Sequence, residues 1–127
     1  MIYLSSALWI IYSCLEGIRE GYYWNLYPSY KINIHTLFFI QRALVLMLVS
    51  LLNPVVIISL SLMFSFFHNG SYYTMRNRLN DKVYPKKWFD QSKQSTSWLT
   101  KFNTPVSRAI QLFVGLLILV LHILGTI

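Results

Sequence analysis

Glu16, Arg19, Glu20, His35, Arg42 and His68 all fall within stretches that are otherwise apolar enough to sit in a bilayer. Ionisable groups are costly in hydrocarbon, so residues of this kind mark a functional site or an internal ion-pair network. Glu16 and Glu20 stand four apart and share a helix face, with Arg19 beside them. His35 and Arg42 stand seven apart, two helical turns, and also share a face. Tyr72 follows His68 by one turn and extends the polar face towards the same side of the membrane.

Three chemistries suit these residue types. The first is a structural salt-bridge network, with Glu16 paired to Arg42 and Glu20 to Arg19 or His35, so that two carboxylates meet two guanidinium groups. The second is proton- or cation-coupled transport or binding. Glu16, Glu20, His35, Arg42, His68 and Tyr72 would line one polar cavity, the carboxylates carrying the chemistry and His35 relaying protons. The third is a metal-dependent membrane enzyme. Glu16, Glu20, His35 and His68 make a two-carboxylate, two-histidine set that would take a divalent metal such as zinc, iron or manganese. That metal would activate water against a lipid-like ester or amide. The two arginines would repel a cation there, and helical di-metal sites normally use Glu-x-x-His pairs. No nucleophile motif is present, and Cys14, the single cysteine, excludes an internal disulfide and reads as a small apolar packing residue.

The elements that must position these groups follow from composition. Of 127 residues, 55% are hydrophobic and 12% charged, against about 25% charged in a soluble domain. Aromatic residues reach 17%, which suits long membrane–water interfaces. Four apolar segments, 2–24, 33–52, 54–73 and 105–127, are each near the ~20 residues that cross a ~30 Å hydrocarbon core. Asn53-Pro54 and Thr104-Pro105 each set a capping side chain before a proline at the first helical position. The Leu52-Asn53-Pro54 connection is short enough to force an antiparallel hairpin. Nothing basic precedes Arg19, so a cleaved secretory signal is not expected at the N-terminus.

The expected fold is therefore an all-α membrane protein: one domain, 1–127, of four transmembrane helices in a small bundle. Lys31, Arg76, Arg78, Lys82, Lys86, Lys87, Lys93, Lys101 and Arg108 all lie in or beside the two loops on one side, and none lies on the other. That bias makes the basic side cytoplasmic and puts both termini outside. It also accounts for the net charge of +7 through topology and anionic lipid headgroups, with no nucleic-acid partner required. Within loop 77–103, basic and aromatic residues alternate, and Ser95, Trp98, Leu99 and Phe102 recur at helical spacing. The pattern predicts a short interfacial amphipathic segment anchored by Lys86, Lys87, Trp88, Trp98 and Lys101. Asn69-Gly70-Ser71 matches a glycosylation acceptor but falls on the cytoplasmic side of this topology. His122 reads as an interfacial residue near the outer end of the fourth segment.

Four spans in a short chain with a carboxylate in the first resemble the small multidrug transporters in architecture. The resemblance implies proton-coupled export. No motif is shared, and the long basic loop has no counterpart in that family. A further class, a pore-forming or accessory subunit, would act by assembly, with Gly17-x-x-x-Gly21 bringing two copies together as a homo-oligomer.

Along each helix, at ~1.5 Å per residue, Glu16 and His68 come to ~21 Å from the outer face, Arg42 to ~16 Å, and Glu20 and His35 to ~27 Å. The spacing predicts two layers, one holding Glu16, Arg42 and His68 and the other holding Glu20 and His35.

Overall fold

Two prolines start two of the helices. Asn53 Oδ1 accepts from the backbone N–H of Val55 (3.0 Å) and of Val56 (3.2 Å), and Pro54 follows at the first helical position. Thr104 Oγ1 accepts from the N–H of Ser107 at 3.1 Å ahead of Pro105. Both side chains satisfy N–H groups that no earlier turn can reach, as the sequence predicts. The computed structural model describes residues 1–26, 34–80 and 104–127. Among them the chain forms four α-helices and no strand: α1 (Ile2–Leu26), α2 (Ile34–Ser50), α3 (Pro54–Leu79) and α4 (Pro105–Ile123). The expected interfacial segment, with Lys86, Lys87, Trp88, Trp98 and Lys101, lies outside the described residues.

The helix bounds differ from expectation at several ends, among them those of α2, α3 and α4. α3 continues to Leu79 rather than 73 because its last turns are still packed, with Met75 against Gly21 and Arg76 buried. α2 stops at Ser50, since Leu51 (φ 52°) and Leu52 (φ 61°) both turn left-handed. This backbone costs a non-glycine residue about 1–2 kcal/mol, and here it reverses the chain into α3 within three residues. α4 ends at Ile123, four residues short of the expected limit.

α3 is the hub of the packing, with its most extensive contact to α1, the next to α4, and lesser contacts to α2. Contacts fix the directions. Trp9 meets Leu60, Gly17 meets His68 and Gly21 meets Tyr72, a constant sequence spacing, so α1 and α3 run parallel. α2 runs against α1 (Trp24 to His35, Glu20 to Arg42), and α4 against α3 (Ser59 to Gly115, Asn53 to His122). The start of α1, the α2–α3 turn and the end of α4 therefore share one end of the molecule.

Close approach of α1 to α3 rests on Gly17, where an added Cβ would lie 2.2 Å from the carbonyl oxygen of His68. Gly115 allows the same for α4, and Ser59 Oγ donates to its carbonyl at 2.7 Å. Near the turn end, Trp9, Val56, Leu60 and Met63 form the buried apolar core, with Ile2 packed against it. Trp9 Nε1 donates to the Leu60 carbonyl at 2.7 Å, which satisfies its one polar atom.

The polarity of the surface is inverted relative to a soluble domain. Glu16, Glu20, His68, Arg76 and Arg108 are buried, while Leu4, Leu15, Phe39, Leu48, Ile110 and Phe113 are exposed. Two helices, α3 and α4, are long and apolar enough to cross a membrane. By the same measure α1 and α2 fall short of the four expected spans. α2 has 17 residues against the ~20 needed, and α1 interrupts its apolar run with Glu16, Arg19 and Glu20.

Candidate functional site

Three helices bring their ionisable groups together in the half of the molecule away from the α2–α3 turn. Glu20, facing inward from α1, is the centre. Its Oε2 accepts from Arg42 Nη2 of α2 and lies 2.8 Å from His68 Nε2 of α3. Its Oε1 accepts from Trp24 Nε1 at 3.2 Å. Arg19 Nη2 donates to Glu16 Oε1 at 2.6 Å, and Arg42 Nη2 lies 3.6 Å from the same oxygen. Each carboxylate thus faces a guanidinium, and Arg42 bridges both.

This pairing corrects the expected one. Arg42 does approach Glu16, but its nearer partner is Glu20, while Arg19 takes Glu16. The expected layers are not kept, because Glu20, rather than Glu16, contacts His68 and is the nearer carboxylate to Arg42, although Gly17 is the residue that meets the His68 backbone. Depth counted along each helix ignores tilt, lateral offset and the reach of the side chains.

His35 is not part of the constellation. It is exposed in the first turn of α2 and stacks on Trp24, with ring centroids 5.1 Å apart. Trp24, on which it stacks, in turn donates to Glu20. His68, by contrast, is buried and touches Glu20 directly. Glu16, Glu20, His35 and His68 do not converge as metal ligands, and no group of three or more potential ligands forms among the described residues. Glu20 and His68 touch, but Glu16 is held by Arg19 and His35 stacks on Trp24, so the four share no common point.

Tyr72 takes its expected place beside His68, in a ladder that includes an unexpected member. Phe64, His68 and Tyr72, spaced by one turn each along α3, stack at 4.7 Å and 6.3 Å. Phe64 also lies 5.1 Å from the Arg42 guanidinium, and Phe38 lies 4.6 Å from that of Arg19. Gln41 and Tyr12 extend the network: Arg19 Nη1 donates to Gln41 Oε1 (3.3 Å), and Gln41 Nε2 donates to the Tyr12 hydroxyl (3.3 Å). The i, i+4 aromatic spacing around His68 was readable from sequence. The role of Gln41, a neutral residue beside Arg42, was not.

No protein-family model matches this chain, and neither a curated protein nor a solved structure matches it significantly. Geometry alone carries the functional argument.

The decisive geometry is at His68. Its Nδ1 lies 3.1 Å from Asn69 Oδ1, an acceptor, so Nδ1 carries a proton. Its Nε2 lies between an acceptor and a donor, Glu20 Oε2 at 2.8 Å and Arg42 Nη2 at 3.1 Å. With Nε2 protonated, the ring donates to Glu20. With Nε2 bare, it accepts from Arg42. Either state has a partner already in place, so a proton can come and go without exposing a buried polar atom.

A second basic site went unforeseen. Arg76 and Arg108, read from sequence as borders of the cytoplasmic loop, are both buried. Arg108 hydrogen-bonds Tyr73 from α4 and lies 5.3 Å from its ring, and Arg76 lies 5.9 Å from the ring of Tyr72. At the opposite end, His122 does more than sit at an interface. Its Nδ1 donates to the Ile127 carbonyl (2.9 Å), leaving Nε2 to accept from Asn53 Nδ2 (3.2 Å) and tie α4 to the hairpin cap.

Proposed function

We propose that the protein is a four-span integral membrane protein whose Glu20–Arg42–His68 centre binds and releases a proton, coupled to binding or transport. The observation that carries this reading is the position of His68 Nε2 between the Glu20 carboxylate and the Arg42 guanidinium. Charged groups facing this nitrogen are Glu16, Arg19 and Glu20 of α1 and Arg42 of α2, with Tyr72 of α3 stacked beside it. Buried charge beneath an apolar exterior supports membrane embedding of all four helices, because a soluble domain gains nothing from that inversion. α1 then crosses with its charges turned towards α2 and α3, and α2 crosses with help from its flanks. The basic loop faces the cytoplasm and both termini face outward.

In purified protein, the expected result is uptake of about one proton per chain on acidification, lost in His68→Gln. A wild-type chain that takes up none would overturn the proton reading. It would leave the alternative that the pairing of Glu16 and Glu20 favours, a structural clamp. Topology is tested separately in a Cys14→Ser background. An impermeant thiol reagent added to intact cells should label Asn53→Cys and spare Lys93→Cys. The reverse pattern would invert the orientation.

A further inference from the structure

The polar network has a side door. Glu20 and His68 are closed off by three helices, but the Arg19 side chain is 47% exposed and that of Arg42 22%. Both face the seam between α1 and α2, where helix contact is far thinner than between α1 and α3. Around this opening the wall is apolar. Leu15 lies one turn before Arg19 on α1, Leu37 and Leu44 lie one turn either side of Gln41 on α2, and all three are exposed.

An exposed guanidinium at bilayer depth normally snorkels to the nearer surface. Arg19 does the opposite. Its near surface is at the end of α1, about 10 Å away at the helical rise. Its guanidinium instead points back towards the N-terminus, held by Glu16 and Gln41. Arg42 Nε, moreover, is buried without a hydrogen-bond partner. With His68 neutral, Glu16, Glu20, Arg19 and Arg42 sum to zero formal charge. With His68 protonated, the cluster carries one positive charge and would be neutralised by one anion.

We infer that the α1–α2 seam is a lateral binding site for the anionic headgroup of a phospholipid from the surrounding leaflet. Arg19, Arg42 and Gln41 hold the headgroup, and the acyl chains lie on the wall of Leu15, Leu37 and Leu44. This rests on the membrane reading and gives the proton-binding centre its ligand class. Headgroup and proton favour one another, because each offsets the charge of the other.

The test is native mass spectrometry of the intact chain in detergent, with phosphatidylglycerol, phosphatidylcholine or inorganic phosphate added. Phosphatidylglycerol should be retained in preference to phosphatidylcholine, and more at acidic pH. Retention should fall roughly tenfold in Arg19→Gln, the loss of one charge-assisted hydrogen bond, and should resist excess inorganic phosphate. Equal retention of both lipids, or no effect of Arg19→Gln, would overturn the site. Competition by inorganic phosphate would make it a free-anion site and refute the lipid. If Arg19→Gln does not fold, a benzophenone side chain at the exposed Leu44 serves instead. Cross-linking to phosphatidylglycerol supports the site, whereas cross-linking to a second copy of the chain refutes it. Proton uptake without lipid retention removes this inference alone, and lipid retention without proton uptake removes the proton reading alone.

Discussion

Arg42→Leu is expected to cost about 3–5 kcal/mol, because it strips the guanidinium that bridges two buried carboxylates and leaves Glu20 with no guanidinium partner. It also removes the donor that meets the bare nitrogen of His68. Adding Glu20→Gln to Arg42→Leu should recover part of that loss, since the second change removes the orphaned charge as well. Arg19→Leu should cost less, because its side chain is half exposed and Glu16 still has Arg42 within 3.6 Å. Reversible denaturation of the four proteins in mixed micelles closes the cycle. Strict additivity of Arg42→Leu and Glu20→Gln would mean that the two groups do not interact.

Gly17→Ala should destabilise the protein by about 3 kcal/mol, at the upper end of what overpacking costs. The added methyl would sit 2.2 Å from the carbonyl oxygen of His68 and 3.0 Å from the backbone nitrogen of Tyr72, and backbone in mid-helix cannot turn aside. α1 would have to lift from α3, pulling Glu20 away from His68. The same substitution at Gly21 should cost less, since its nearest neighbour is the Met75 side chain at 3.0 Å. Elsewhere in a helix, alanine for glycine stabilises by up to about 1 kcal/mol, so the expected sign is opposite to propensity. A Gly17→Ala protein that melts at or above the wild-type temperature would refute the close approach. The glycine pair also bears on assembly. Gly17 and Gly21 are spent on α3 of the same chain, so a homo-oligomer through this stripe would have to displace α3.

Composition and local chemistry were sufficient for the elements. Asn53-Pro54 and Thr104-Pro105 start their helices because a capping oxygen and a fixed φ act within one turn, independent of anything distant. The participation of Glu16, Glu20, Arg42, His68 and Tyr72 in one cluster was legible for a similar reason. Ionisable groups in apolar helices have few stable destinations other than one another.

What the sequence by itself determined is a set of apolar helical segments, of which two among the described residues are long and apolar enough to cross a membrane rather than the four expected, and a set of charges obliged to meet in the interior. Tertiary structure decided the partners. The parallel register of α1 and α3, set by the contact of Gly17 with His68, places Glu20 rather than Glu16 beside the imidazole. Packing of α4 on α3 places Arg108, which in sequence read as bordering a loop, in the interior against Tyr73. His35 lies one turn too near the start of α2 to reach inward and stacks on Trp24 instead. Helical periodicity specifies which residues share a face. The axial offset and rotation between helices come from steric fit at a few close contacts far apart in sequence, and those offsets select which charge meets which.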